Sequence, residues 1–267
     1  RKIKTRHRDD PKFAVLAYGK LGGKELGYAS DLDMVFVHDD DAPESAEVYT
    51  RLGQRTNTWL SAQTPAGHLF ETDLRLRPNG DSGLMVVSLE SFRQYQLENA
   101  WVWEHQALTR ARFCAGDKAI GAKFEAIRIE VLRQKRDLTK LREEVLAMRE
   151  RMADGHPNKT NLFDLKHDKG GLVDVEFMVQ YLVLGHAHEH PGLCGNLGNI
   201  ALLHMAGELG LIPTEQASTV ADTYREYRRL QHGLRLNNQA SRVDREQVAE
   251  AAAGVQALWQ TVFGAAR

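Results

Sequence analysis

Two aspartates, Asp31 and Asp33, stand two residues apart at the start of an apolar run in residues 18–39, YGKLGGKELGYASDLDMVFVHD. In a strand, residues i and i+2 share a face. The two carboxylates therefore stand together, with Leu32, Met34 and Phe36 on the opposite face. Like charges held that close repel unless a cation lies between them. Oxygen-only ligands suit a hard divalent ion, and Mg²⁺ in particular is held by one or two carboxylates plus substrate phosphates. Just upstream, Gly19, Gly22, Gly23 and Gly27 make a small-residue loop, and Ser30 precedes the acids. Glycines let backbone N–H groups approach a phosphate closely. Ser30 can donate to a phosphate oxygen, and Lys20 can offset charge there. The stretch reads as a site for metal-assisted phosphoryl or nucleotidyl transfer.

A third acid comes from residues 68–78, HLFETDLRLRP, which alternate with period two. The alternation predicts a strand with Phe70, Thr72, Leu74 and Leu76 on one face and Glu71, Asp73, Arg75 and Arg77 on the other. Asp73 completes a set of three carboxylates with Asp31 and Asp33. Such a set can clamp two ions, one activating the attacking oxygen and the other stabilising leaving pyrophosphate. Arg75 is a second cation for the phosphates. A glycine-rich loop alone is a weak signal; joined to Ser-Asp-x-Asp and a later acid it is a stronger one.

The elements that must position these groups read as follows. Residues 12–18 (KFAVLAY) form a buried strand, with the glycine loop and a single helical turn near 25–27 after it. Residues 31–38 form a second strand, and 45–62 a helix with Val48, Leu52, Trp59 and Leu60 as its apolar mass. Residues 79–83 (NGDSG) make a hairpin-type turn to a return strand at 84–88. Helices follow to about 97 and over 98–112, the latter turning Trp101, Val102 and Leu108 inward. Beyond 116 no convincing strand is expected: two helices over 118–152, a short extended piece over 161–169, then helices over 172–188, 196–211, 213–232 and 244–263. The class is α+β, with a mixed sheet in residues 1–115 and an α-helical bundle in 116–267.

The 267 residues suffice for one large or two small domains, and 42% hydrophobic with 27% charged residues is ordinary for a globular chain. A net charge of −1 gives no general argument for nucleic acid as a partner. Cys114 and Cys194 fit no metal spacing, which points to a reducing, cytoplasmic setting. No run is apolar enough to span a membrane, so none is expected as a partner. The chain opens on RKIKTRHR with no initiator Met, read here as a solvated basic terminus and as a sign of a fragment of something longer.

The motifs G-K-L-G-G-x-E-L-G-Y-x-S-D-L-D and D-L-R-L-R-P together resemble the bifunctional glutamine synthetase adenylyltransferase/adenylyl-removing enzymes. The resemblance continues through WVWEHQALTRAR at 101–112 and through Lys166 and GGLVDVEF at 170–177. It implies a DNA polymerase β-like nucleotidyltransferase domain, with Asp31, Asp33 and Asp73 binding Mg²⁺ or Mn²⁺. It puts the phosphates of ATP, the AMP donor, near Gly19 and Ser30. That family carries two such domains, one transferring AMP to a tyrosine of glutamine synthetase and one removing it by phosphorolysis. Tyr18, the Glu25-Leu-Gly-Tyr28 run, Leu32 and Glu104-His-Gln-Ala107 resemble the carboxyl-terminal, adenylylating copy. A nitrogen-signalling regulatory protein would then act through the full-length chain. The competing readings are the adenylyl-removing copy and a nucleotidyltransferase-fold module that binds without chemistry.

Other residues stay open at this stage. Arg110 and Arg112 either bind phosphate or brace a seam. Asp174 and Glu176 either face the cleft or favour a helix N-terminus. Trp101 and Trp103 read as core aromatics rather than an adenine platform. His186, His188 and His190 do not share one helix face, which argues against zinc.

Overall fold

In the computed structural model, residues 7–28 and 30–264 are described. Of these, 7–26 and 30–131 form one compact unit, while 27–28 and 132–264 form another.

The first unit is built on a mixed five-stranded sheet. The strand β1 (Phe13–Ala17) leads into α1 (Gly19–Gly22), a four-residue helical turn, and then β2 (Leu32–His38). β1 and β2 run antiparallel, with Ala17 opposite Met34. Both strands are apolar on both faces because both faces are covered. Leu32, Met34 and Phe36 join Phe13 and Val86 in a core that takes Tyr49 and Leu52 from α2 (Ser45–Leu60). Val35 and Val37 point the other way, into a second core.

After α2 comes a small hairpin, β3 (Gln63–Thr64) with β4 (Gly67–His68), and then β5 (Thr72–Asp73). The long strand expected over 68–78 reduces to those two residues. Asp73 accepts from the backbone N–H of Arg75 at 2.8 Å, and Arg77 N–H from its own turn reaches Leu74 O at 3.3 Å. An aspartate that bonds the backbone two residues on turns the chain away from extended structure. The alternating charges therefore lie on a loop rather than on a strand face. β6 (Val86–Ser88) is also not a hairpin return: β5 and β6 both pair parallel with β2, at Leu32–Asp33 and at Phe36–His38.

α3 (Leu89–Glu98) is capped by the Ser88 hydroxyl, which accepts from Ser91 N–H. The helix expected over 98–112 breaks into α4 (Val102–Leu108) and a strand, β7 (Arg112–Gly116), which pairs with β1. Trp101 is 67% exposed and Trp59 70%, so neither is the core residue expected; Leu108 is buried. α5 (Lys118–Leu132) sends Ile120, Phe124, Ile127 and Val131 into the core beneath Val35 and Val37. The break expected at 115/116 thus precedes a helix that packs on the sheet.

The second unit holds α6 (Leu138–Gly155), β8 (Phe163–Asp164), α7 (Leu172–His186), α8 (Asn199–Glu208), α9 (Thr214–Leu236), β9 (Arg242–Val243) and α10 (Arg245–Phe263). β8 and β9 form a two-residue bridge. α7 is apolar nearly all round and packs against α6, α8, α9 and α10, as a central helix should. No helix among the described residues is long and apolar enough to cross a membrane.

Candidate active site

The end of β2 that carries the acids is shaped by its two neighbours. Ala17, the last residue of β1, lies opposite Met34, and Tyr18 N–H donates to Asp33 O at 2.9 Å, so the chain leaves β1 directly beside Asp33. It then enters α1 through Gly19 at φ +51, a left-handed conformation that glycine adopts at no steric cost. A Cβ on Gly19 would fall 2.0 Å from Asp33 Oδ2. Glycine is required there twice over, by backbone conformation and by the approach of the carboxylate. On the other side, parallel pairing puts Asp73 in register with Asp33.

The three predicted acids come together. One carboxylate oxygen from each of Asp31, Asp33 and Asp73 lies within 4.8 Å of the others. Asp31 is exposed and precedes the strand; Asp33 and Asp73 are half-buried. Oxygens on opposite sides of one Mg²⁺ are about 4.2 Å apart at bonds of about 2.1 Å. Oxygens gathered within 4.8 Å are close enough for one such ion to draw them in. The donor set, oxygen only, fits a hard divalent cation.

The electrostatics carry the mark of crowded negative charge. Burial, and then the charges of Asp31 and Asp73, push the Asp33 carboxyl up to about 6, against the opposing pull of Lys20 and Arg110. Asp73 goes the other way. Its carboxylate takes the Arg75 guanidinium at 2.9 Å from Nε and 2.5 Å from Nη2, and those hydrogen bonds hold it below the usual carboxylate range. Arg75, expected as a phosphate ligand, is 72% exposed at its side chain and bonded to the third acid. Ser30 and Lys20 are half-buried in the segments that flank the acids. Gly22, expected near the phosphates, is buried, and its N–H donates to Tyr18 O at 2.6 Å.

Sequence reasoning left Arg110 and Arg112 undecided, and the structure places both against the glycine turn. Arg110 Nη2 donates to Glu25 Oε2 at 2.9 Å, while Arg112 donates to the carbonyls of Leu21 and Gly22 at 3.1 and 3.2 Å. The signal that could have found them is register: Arg112 lies opposite Ala17 across the β1–β7 ladder, one residue from the turn. In the second unit Asp174 proves structural. It accepts from Arg149 Nε at 2.6 Å and from Gly170 N–H at 2.6 Å in a buried cluster. Glu176 accepts from the Tyr224 hydroxyl at 3.1 Å, which in turn accepts from Asn199 at 2.8 Å.

Three carboxylates gathered beside a glycine turn make a candidate site for a divalent cation, and comparison with known proteins narrows the class. Residues 1–127 match the family model for glutamate-ammonia ligase adenylyltransferase, and residues 139–259 the model for GlnD PII-uridylyltransferase. The chain belongs to the family of bifunctional glutamine synthetase adenylyltransferase/adenylyl-removing enzymes. It is 71% identical over its whole length to the enzyme of that name from Aromatoleum aromaticum, covering 28% of that protein. It is 55% identical to the one from Nitrosomonas europaea over 98% of this chain and 30% of that protein. The counterpart from Bordetella bronchiseptica is 58% identical over 98% of this chain and 28% of its own length. The chain therefore spans less than a third of the length of these relatives.

Proposed function

We propose that the first unit is a metal-dependent adenylyltransferase of the DNA polymerase β-like type, which moves AMP from ATP to a tyrosine of glutamine synthetase and releases pyrophosphate. The observation that carries the reading is the convergence of Asp31, Asp33 and Asp73 beside Gly19, in a chain so close to enzymes bearing that name. Asp31, Asp33 and Asp73 would hold Mg²⁺ or Mn²⁺. Bound there, the metal would neutralise triphosphate charge and lower the pKa of the attacking tyrosine hydroxyl.

The chain's own residues set the conditions for that chemistry. Gly19 lets the backbone lie against Asp33 where any side chain would block the site. The Arg75 guanidinium holds the Asp73 carboxyl below the usual carboxylate range, which makes Asp73 a weaker base. The match of residues 139–259 to a PII-uridylyltransferase model fits a protein of the same nitrogen-status circuit, acting in the cytoplasm with a nitrogen-signalling regulator as partner.

The test uses the protein at its natural length, with labelled ATP and unmodified glutamine synthetase in one arm. AMP-modified synthetase with phosphate forms the other. Label is expected on a synthetase tyrosine, and Asp31→Asn or Asp33→Asn should each lose it by two orders of magnitude or more. Transfer retained in both variants, or activity of this site confined to the phosphorolysis arm, would overturn the assignment.

A further inference from the structure

The glycine turn is held from outside by two arginines, and their arrangement says more than that they stabilise it. α1 is too short to fix its own position: Gly22 and Gly23 N–H groups close it onto Tyr18 and Gly19. Its place relative to Asp33 must come from its surroundings. Arg112, from the start of β7, bonds the last two carbonyls of the turn, Leu21 and Gly22. Arg110 fills the space that a side chain on Gly23 would need, since a Cβ there would fall 2.6 Å from its Nη2 and 2.7 Å from its Nε. The same guanidinium is paired with Glu25, and the N–H of Glu25 donates to Lys20 O at 2.9 Å. One side chain on α1's exit, Glu25, thus ties the turn to a cation that is only 8% exposed.

We propose that Glu25 and Arg110 are a positioning pair that sets the glycine turn against Asp33, and through it the affinity of the site for the triphosphate of its nucleotide. This rests on the nucleotide reading given above. The turn holds the nucleotide before and during the reaction, so loosening it removes binding shared by the ground and transition states. Such a loss raises KM and leaves kcat nearly unchanged. A group with a merely structural role would instead move the melting temperature with no selective effect on nucleotide.

The experiment compares Glu25→Gln, Arg110→Gln and the double variant with the unaltered protein at natural length. It reads the Kd for α,β-methylene-ATP with Mg²⁺ by calorimetry, KM and kcat for ATP, and the melting temperature. Glu25→Gln keeps the size of a half-buried side chain and serves where Arg110→Gln fails to fold. Each single variant is expected to weaken nucleotide binding and raise KM about tenfold, with kcat within twofold. The double variant should lose no more than the worse single one, because the two residues act as one unit. Binding within twofold of the unaltered protein in Glu25→Gln would overturn the proposal. So would additive losses, or a fall in kcat at unchanged Kd. If the unaltered protein binds the analogue but transfers no AMP, the functional reading fails while the positioning pair is still judged by the binding arm.

Discussion

Asp33→Asn should make the metal-free protein more stable while making it inactive. The folded Asp33 carboxyl is raised from an ordinary value of 3.8 to about 6, mainly by burial and then by Asp31 and Asp73. A raised folded pKa means that the ionised form is disfavoured in the folded state. Stability from this group is therefore greatest below the unfolded pKa and falls as pH rises from about 4 through about 6. A shift of about two units corresponds to a ceiling of roughly 3 kcal/mol. Solvent screening of a half-buried side chain brings that to about 1–2 kcal/mol. For a unit of this size the gain in Asp33→Asn is about 3–10 °C in melting temperature at pH 8 with chelator present. At pH 4 the difference should vanish. Mg²⁺ should raise the melting temperature of the unaltered protein and not that of the variant. Calorimetric melts across pH 4–8, with chelator and with Mg²⁺, give all of these numbers. A variant no more stable than its parent at pH 8, or an advantage that persists at pH 4, would refute the argument that uncompensated charge crowds this strand end.

Gly19→Ala places a methyl group 2.0 Å from Asp33 Oδ2 and asks alanine to hold φ +51, at a cost of about 1–2 kcal/mol. AMP transfer should fall about 100-fold or more, read as incorporation of labelled nucleotide. Arg75→Gln removes the cation that now bonds Asp73, so Mn²⁺ titrated without nucleotide should bind about two- to fivefold more tightly, the worth of an exposed ion pair. Arg149→Met leaves Asp174 buried without its partner and should destabilise the second unit by about 3–5 kcal/mol in urea, whereas Asp174→Asn should cost less.

The parts of the structure that could be read from residues are those whose signal is local. The apolar runs of β1 and β2, and the amphipathic or wholly apolar stretches that became α5, α6 and α7, carry their periodicity in the chain itself. Asp73 was also found, through its chemistry, although the strand expected around it shrinks to two residues. What escaped depends on partners far away in sequence. β7 is RFCAG, too short and mixed to be distinguished from a helix end, and it is a strand because β1 offers it an edge. β6 was expected as a hairpin return, but β2 accepts it in parallel. Trp59 and Trp101 read as inward-facing apolar positions of expected helices and face water instead. At the site, the three acids were legible by spacing. The bracing of the glycine turn by Arg110 and Arg112 was not, because their contacts span some ninety residues of sequence, with separations of 85, 90 and 91.

The third carboxylate owes its place to a contact two residues long. Leu32 N–H reaches Glu71 O at 2.9 Å, Leu32 faces Thr72 and Asp33 faces Asp73, and there the pairing of β5 ends. A junction that short can open without disturbing the cores beneath it. When it opens, Asp73 leaves and two acids stay behind on β2. Divalent affinity at this site is therefore the intrinsic affinity of three carboxylates multiplied by the fraction of molecules in which that small junction is closed. Hydrogen exchange at Leu32 and metal binding report on one equilibrium: a substitution in the loop from His68 to Gly83 that opens the junction speeds exchange at once, and weakens metal binding in proportion once the open form predominates.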